Sequence, residues 1–140
     1  MEGLKDYKTS VEIEVQFRDC DPLGHVNNSV YLTYLENARI AYCMGPLGVT
    51  DWKQIQFIVA RVEIDYRSPA LPGERLQVGA RVTRLGGASF DMEYEIYSKK
   101  DGRRVASAKT VQVCFDYKSN KVQKIPAHYR EAMRRHDGVS

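Results

Sequence analysis

The sequence predicts an α+β fold, in which a curved antiparallel β-sheet wraps around one long α-helix and a short helix closes the C-terminus. Two features of the chain point to it. Only one long segment of the 140 residues carries apolar side chains at helical spacing. At least four alternating segments come after it, separated by Pro/Gly or Asp-Gly turn signals.

VEIEVQFR (11–18) alternates, with Val11, Ile13, Val15 and Phe17 on one face and Glu12, Glu14, Gln16 and Arg18 on the other. That pattern predicts a half-buried strand. NSVYLTYLENARIAYCMG (28–45) predicts the long helix, because Val30, Tyr34, Ala38 and Ala41, joined by Tyr31 and Leu35, form a broad apolar stripe. Asn27 or Asn28 can cap its start by accepting an orphaned backbone N–H, and Gly45-Pro46 ends it. FIVARVEIDY (57–66) alternates through Ile58, Ala60, Val62, Ile64 and Tyr66 until SPALPG (68–73) breaks it. ERLQVGARVTRL (74–85) alternates through Leu76, Val78, Ala80 and Val82. Beyond Gly86-Gly87, SFDMEYEIYSK (89–99) places Phe90, Met92, Tyr94 and Ile96 on one face. Asp101-Gly102 signals a tight hairpin that returns as RRVASAKTVQVCFDY (103–117), and IPAHYREAMRRHD (125–137) predicts the terminal helix. With no repeat, linker or low-complexity segment, the length fits one domain over residues 1–140.

A strongly curved sheet buries the stripe of a single helix. One helix does not cover a five-stranded sheet completely and leaves its edges exposed. Pairing of edge strands or helix faces between copies is the remedy, so a homo-oligomer is expected.

Composition narrows the function classes. The chain is 43% hydrophobic and 28% charged, which belongs to a folded protein. No window approaches the ~18 apolar residues of a membrane span, and MEGLKDYKTS lacks the apolar core of a secretory signal, so a cytoplasmic protein with no membrane partner is expected. Cys20, Cys43 and Cys114 are an odd set without CxxC spacing, which argues against a disulfide framework and a structural metal site. The net charge of +3 is dispersed, with no basic run interleaved with aromatics, so nucleic acid is not an expected partner. A small polyanionic ligand is served by a few arginines.

Chemistry concentrates in RDCDPLGHVNN (18–28), between the first strand and the helix. Asp-Pro-x-Gly is also a common turn, in which Asp21 caps its own backbone. Asp19 reads as a turn or solvent residue, and Cys20 as a packing residue without an adjacent base to activate its thiol. His25 either orients the loop or touches a substrate.

DCDPLGHVNNSVYLTYLENAR (19–39), with the order strand, helix, strands, resembles the hot-dog-fold acyl-CoA thioesterases of the 4-hydroxybenzoyl-CoA thioesterase-like family. The densest matches are Asp21, Gly24, His25-Val26-Asn27-Asn28, Tyr31, Glu36 and Ala38-Arg39, with weaker ones in RVEIDYRSPALPGE (61–74) and RLGGASF (84–90). The resemblance runs from about Val11 to Tyr129. It implies thioester hydrolysis, with Asp21 as the catalytic carboxylate and the backbone N–H of Asn28 holding the thioester carbonyl. It also implies dimers with a continuous sheet, which often pair into tetramers. DCDP resembles the branch acting on aryl-CoA, GHVNN the branch acting on fatty acyl thioesters, so the acyl group stays open.

The chemistry fits those roles. A helix start offers unpaired N–H groups and a partial positive charge to the growing oxyanion, and one such donor is worth roughly 2.7–4 kcal/mol of barrier. Asp21 can act as general base on water or as nucleophile through a mixed anhydride. Coenzyme A is a good leaving group and enters only as part of substrate and product; no metal or bound cofactor is expected. Tyr31 and its stripe neighbours pack the core, and some of them can line an acyl channel. Glu36 faces solvent or a polar pocket, as a reserve carboxylate or a partner of Arg39 or Arg61. Arg84 and Ser89 are the first candidates for the phosphates of coenzyme A by position in the resemblance, followed by Arg61 and Arg67. Arg103 and Arg104 read as a charged edge resisting aggregation. Two other classes compete: a hydratase or dehydratase using Asp21 and His25 on an enoyl or hydroxyacyl thioester, and a non-catalytic acyl-thioester-binding protein.

Overall fold

A computed structural model describes residues 2–140. In chain order it contains β1 (Thr9–Glu14), α1 (Tyr31–Met44), β2 (Phe57–Tyr66), β3 (Arg75–Leu85), β4 (Ser89–Ser98), β5 (Arg104–Asp116), β6 (Lys121–Val122) and α2 (Ala127–Asp137). The strands are antiparallel in the order β1-β3-β4-β5-β2, and β6 adds to the end of β5. The sheet curls as a half-barrel around α1, the hot-dog fold.

The alternating residues of the central strands form the inner wall. Leu76, Val78, Ala80 and Val82 of β3 and Phe90, Met92, Tyr94 and Ile96 of β4 are all buried. Against them α1 presents Tyr31, Tyr34, Leu35, Ala38 and Tyr42, a stripe at intervals of three and four. Each large apolar side chain so buried contributes about 1.5–3 kcal/mol. Tyr42 and Cys43 belong to the buried set, whereas Val30 and Ala41 are only half-buried, so the stripe is rotated from the expected one. At the far end α2 stops at Gly138, whose φ of 71° is left-handed and whose N–H returns to the Arg134 carbonyl.

Two segments depart from the sequence expectation. The first strand ends at Glu14, not at Arg18, because its partner β3 begins at Arg75 and offers no further ladder. The chain turns into a 3₁₀ helix, Phe17–Asp19, in which the Asp19 carboxylate accepts the Gln16 N–H at 2.9 Å. Phe17 is therefore 86% exposed and not on a buried face. The second departure is β2. Its register slips between Val59 and Arg61, so the alternation through Ile58, Ala60 and Val62 is broken. Only Phe57 of this strand is buried, and Ile58, Val59, Val62 and Tyr66 stand exposed along a sheet edge.

Candidate active site

Residues 19–28 fold as a small closed hairpin between β1 and α1. Its stem is a bridge between Cys20 and Val26, flanked by Asn27 N–H to the Asp19 carbonyl at 2.9 Å and Asp21 N–H to the His25 carbonyl at 3.0 Å. Gly24 closes the tip with a φ of +88°, a conformation that costs a residue with a Cβ. A further bond, Val26 N–H to the Ala70 carbonyl, docks the stem on the segment before β3. Asn27 is the cap: its side chain accepts from Ser29 N–H and Oγ–H at 3.0 and 2.8 Å. A 3₁₀ turn, Asn28–Val30, then runs straight into α1. The Tyr66 hydroxyl donates to the Asn28 carbonyl at 3.0 Å and fixes this turn from β2.

The backbone N–H of Asn28 meets no acceptor among the described residues. It therefore stands as an available donor at the positive end of the helical segment. Asp21 sits on the preceding hairpin, half-buried, with Oδ1 accepting the Leu23 N–H at 2.9 Å. That bond is the turn cap expected of an Asp-Pro-x-Gly sequence, and it sets the rotamer of the carboxylate. His25 Nδ1 lies 3.3 Å from the Val26 carbonyl, and no side-chain bond joins His25 to Asp21 among the described residues. The hairpin thus pairs Asp21 with His25 through the backbone, without an Asp-His side-chain dyad, and leads at Asn28 into the helical segment. Burial and the charges of Asp19 and Asp21 push the Cys20 thiol pKa up, which keeps that sulfur protonated and unreactive.

The other expected positions divide. Tyr31 is core: 3% exposed, edge-on to Tyr34 and Tyr66 at 5.7 and 5.3 Å. Glu36 is exposed and lines, with Arg39, two grooves of ≈ 250 and ≈ 420 Å³ between α1 and β2. Their walls are otherwise largely apolar, with Val59 in both, Leu32 and Val62 in the smaller and Ile40 and Ile58 in the larger. Asp21, His25 and Asn28 line neither groove. Arg39, which sequence reasoning left without a role of its own, donates to the Tyr94 hydroxyl at 3.2 Å, and that hydroxyl lies 2.7 Å from Thr110 Oγ1.

Arg84 and Ser89 do meet across the β3–β4 turn. Arg84 Nη2 donates to Ser89 Oγ at 3.1 Å and to Asp91 Oδ1 at 2.9 Å, while Lys109 Nζ lies 3.4 Å from Asp91 Oδ2. The Arg84 hydrogen bond, reinforced by Lys109, holds the Asp91 carboxyl below its usual pKa. Two cations on one carboxylate leave a net positive patch. Arg61 pairs instead with Glu63 on the open edge of β2, and Arg67 with Asp65, both away from Arg84. Among the described residues no cluster of three or more His, Cys, Asp or Glu side chains is arranged to hold a metal ion. Among the described residues no helix is long and apolar enough to cross a membrane.

The chain has relatives among known proteins. The profile of the Thioesterase-like superfamily matches residues 15–133. The long-chain acyl-CoA thioesterase FadM of Escherichia coli is 31% identical over 87% of this chain and 94% of its own. The 1,4-dihydroxy-2-naphthoyl-CoA hydrolase of Synechococcus elongatus is 24% identical over 84% of this chain and 88% of its own. Among solved structures, a Thermus thermophilus thioesterase complexed with coenzyme A and zinc superposes with a TM-score of 0.87 at 37% identity, covering 96% of this chain and 97% of that one.

Proposed function

Because this chain belongs to the Thioesterase-like superfamily and is a thioester hydrolase, we propose that it hydrolyses a fatty acyl-CoA, with Asp21 and the Asn28 N–H as its reacting groups. The observation that carries this reading is the free N–H of Asn28 at the start of the helical segment, reached directly from the hairpin that holds the half-buried Asp21. The thioester oxygen docks on that N–H, and the carbon becomes open to attack from the hairpin side. Asp21 either takes a proton from the attacking water or bonds to the carbon itself, expelling the thiolate and leaving a mixed anhydride for water to cleave. An acyl adduct on the Asp21 peptide under rapid quench marks the second route. His25 stands on the same hairpin as a contact for the substrate. Arg84, Lys109 and Ser89 receive phosphate of coenzyme A, for which an arginine fork is suited.

The acyl group is assigned to the grooves beside α1. Their apolar walls suit a flexible hydrocarbon chain, and the FadM relative acts on long-chain acyl-CoA. A second copy is needed to cover them. β2 is an unpaired edge with apolar residues exposed beside an exposed Leu32 and Ile40 on α1. Antiparallel pairing of β2 with the same strand of a partner extends the sheet and buries both. Glu36 and Arg39 then lie at the seam, where they meet the substrate or the partner.

The test is an acyl-CoA panel, benzoyl, butyryl, lauroyl and palmitoyl, with free thiol followed for wild type and Asp21→Asn. Thiol release that is fastest on the long chains and lost in the variant supports the reading. Fastest release from benzoyl-CoA overturns the fatty assignment. Crotonyl-CoA is run beside the panel, and loss of its enoyl absorbance without thiol release overturns hydrolysis in favour of hydration.

A further inference from the structure

We infer that Asp19 and Tyr34 are a positioning pair, which ties the Asp21 hairpin to the helix that supplies the Asn28 N–H and so fixes the two reacting groups relative to each other. This inference rests on the roles proposed above for Asp21 and Asn28.

The hairpin tip, Pro22, Leu23 and Gly24, is exposed, so nothing packs over it to hold it in place. Its position is set at the stem. There the Asp19 backbone carbonyl accepts Asn27 N–H, and the Asp19 carboxylate does two further things with one oxygen. Oδ2 accepts the Gln16 N–H, which closes the preceding 3₁₀ turn, and the Tyr34 O–H, both at 2.9 Å. Among the described residues, Tyr34 to Asp19 is the only side-chain hydrogen bond joining residues 17–27 to α1, which is continuous with the 3₁₀ turn that begins at Asn28.

Tyr34 is well built for the task. Its ring is 2% exposed, held edge-on to Tyr31 in the wall of the core, so the hydroxyl is delivered by a rigid stem. Burial, followed by the hydrogen bond and charge of Asp19, pushes the phenol pKa far up, so it remains a donor across the working pH range. Expulsion of the thiolate requires the carbonyl oxygen on Asn28 and the carbon within reach of Asp21 at the same moment. Misplacement by about 1 Å costs about 10²-fold in such geometry. A bond between the carboxylate's hairpin and the donor's helix is where that tolerance is set, and Asp19 itself touches no reacting atom.

Steady-state kinetics of Tyr34→Phe, Asp19→Asn, Asp19→Ala and the Asp19→Ala/Tyr34→Phe double variant test this, on the acyl-CoA that wild type turns over fastest, with Tm recorded for each. Expected is a fall in kcat of about 10- to 100-fold for Tyr34→Phe, KM within about twofold, and a double variant no slower than its slower parent. Asp19→Asn, which keeps an acceptor oxygen, retains most of the wild-type rate, and Tyr34→Phe, the mildest of the other changes, decides if the Asp19→Ala variants fold poorly. An unchanged kcat in Tyr34→Phe overturns the inference, as does a double variant whose losses multiply or a fall that follows Tm alone. Asp21→Asn in the same series separates the failures. If it keeps full turnover, the Asp21 reading falls; if it is dead while Tyr34→Phe runs at the wild-type rate, only the positioning pair falls.

Discussion

The hairpin at the start of α1 and the flank between α1 and β2 are built on opposite principles. In the hairpin almost every polar group is engaged locally: Asp19 with Gln16, Asn27 and Tyr34, Asp21 with Leu23 and His25, Asn27 with Ser29. Along the flank the strand is paired on one side only, its register with β5 slips, and apolar side chains face outward. Under the proposed function, the reacting groups are assembled within one chain, while the surface that takes the acyl group is left for a second copy to close.

The heaviest loss belongs to the hairpin. Asp21→Asn is expected to lower kcat by about 10²-fold or more, with Tm unchanged because the amide oxygen still accepts the Leu23 N–H. A thermal melt and a thiol-release assay check both halves.

Next in size is the flank. Val62→Lys sets a charge on the β2 edge, a deterrent to strand pairing. Light scattering is expected to return the 16.0 kDa protomer where wild type gives a multiple of it, with turnover falling in parallel. A variant that stays oligomeric and active places the interface elsewhere.

Arg84→Ala touches neither region and so serves as their contrast. Loss of charge-assisted bonds to phosphate, about 1.5–3 kcal/mol, raises KM by about 10-fold or more while kcat holds. The same change takes from Asp91 the nearer of its two cations and leaves only Lys109. A carboxyl held low in the folded state stabilises above its unfolded pKa of about 3.9 and stops doing so as pH falls through the lower folded value. The stability gap between wild type and Arg84→Ala should therefore be present at neutral pH and close in acid, as urea midpoints across pH would show. The smallest effect is expected where α1 meets the end of α2. Tyr42→Phe removes a 2.6 Å bond to the Asp137 carboxylate, which also accepts Val82 N–H. It should cost about 1 kcal/mol of stability and leave kcat and KM alone.

Where periodicity meets a regular ladder, the residues announce their own places. β3 and β4 bury every residue that their alternation puts inside, because each has a neighbour on both sides. The turn at Asp21 is legible in the same way, since Asp-Pro-x-Gly closes on itself through the Leu23 N–H and the Gly24 φ of +88°. Phe17 and β2 escape the same reasoning. Phe17 continues an alternation whose partner strand has already ended, and a single inserted residue at Ala60 reverses the facing of the residues beyond it. Asp19, read from the sequence as a turn or solvent residue, owes its partner Tyr34 to tertiary contact across a separation of 15 residues, which no local pattern encodes. The pairing of Arg84 with Asp91 is of the same kind, because Asp91 looks like one more polar position on an alternating strand.

Hydrolysis at this hairpin turns on where the thioester carbonyl lies. A crystal structure of Asp21→Asn with palmitoyl-CoA bound tests this most directly. Expected are the carbonyl oxygen at about 2.9 Å from the Asn28 nitrogen, the side chain at position 21 facing the carbonyl carbon, and the acyl chain lying along α1 against β2. A carbonyl turned away from the helix start, with position 21 facing solvent, would contradict it.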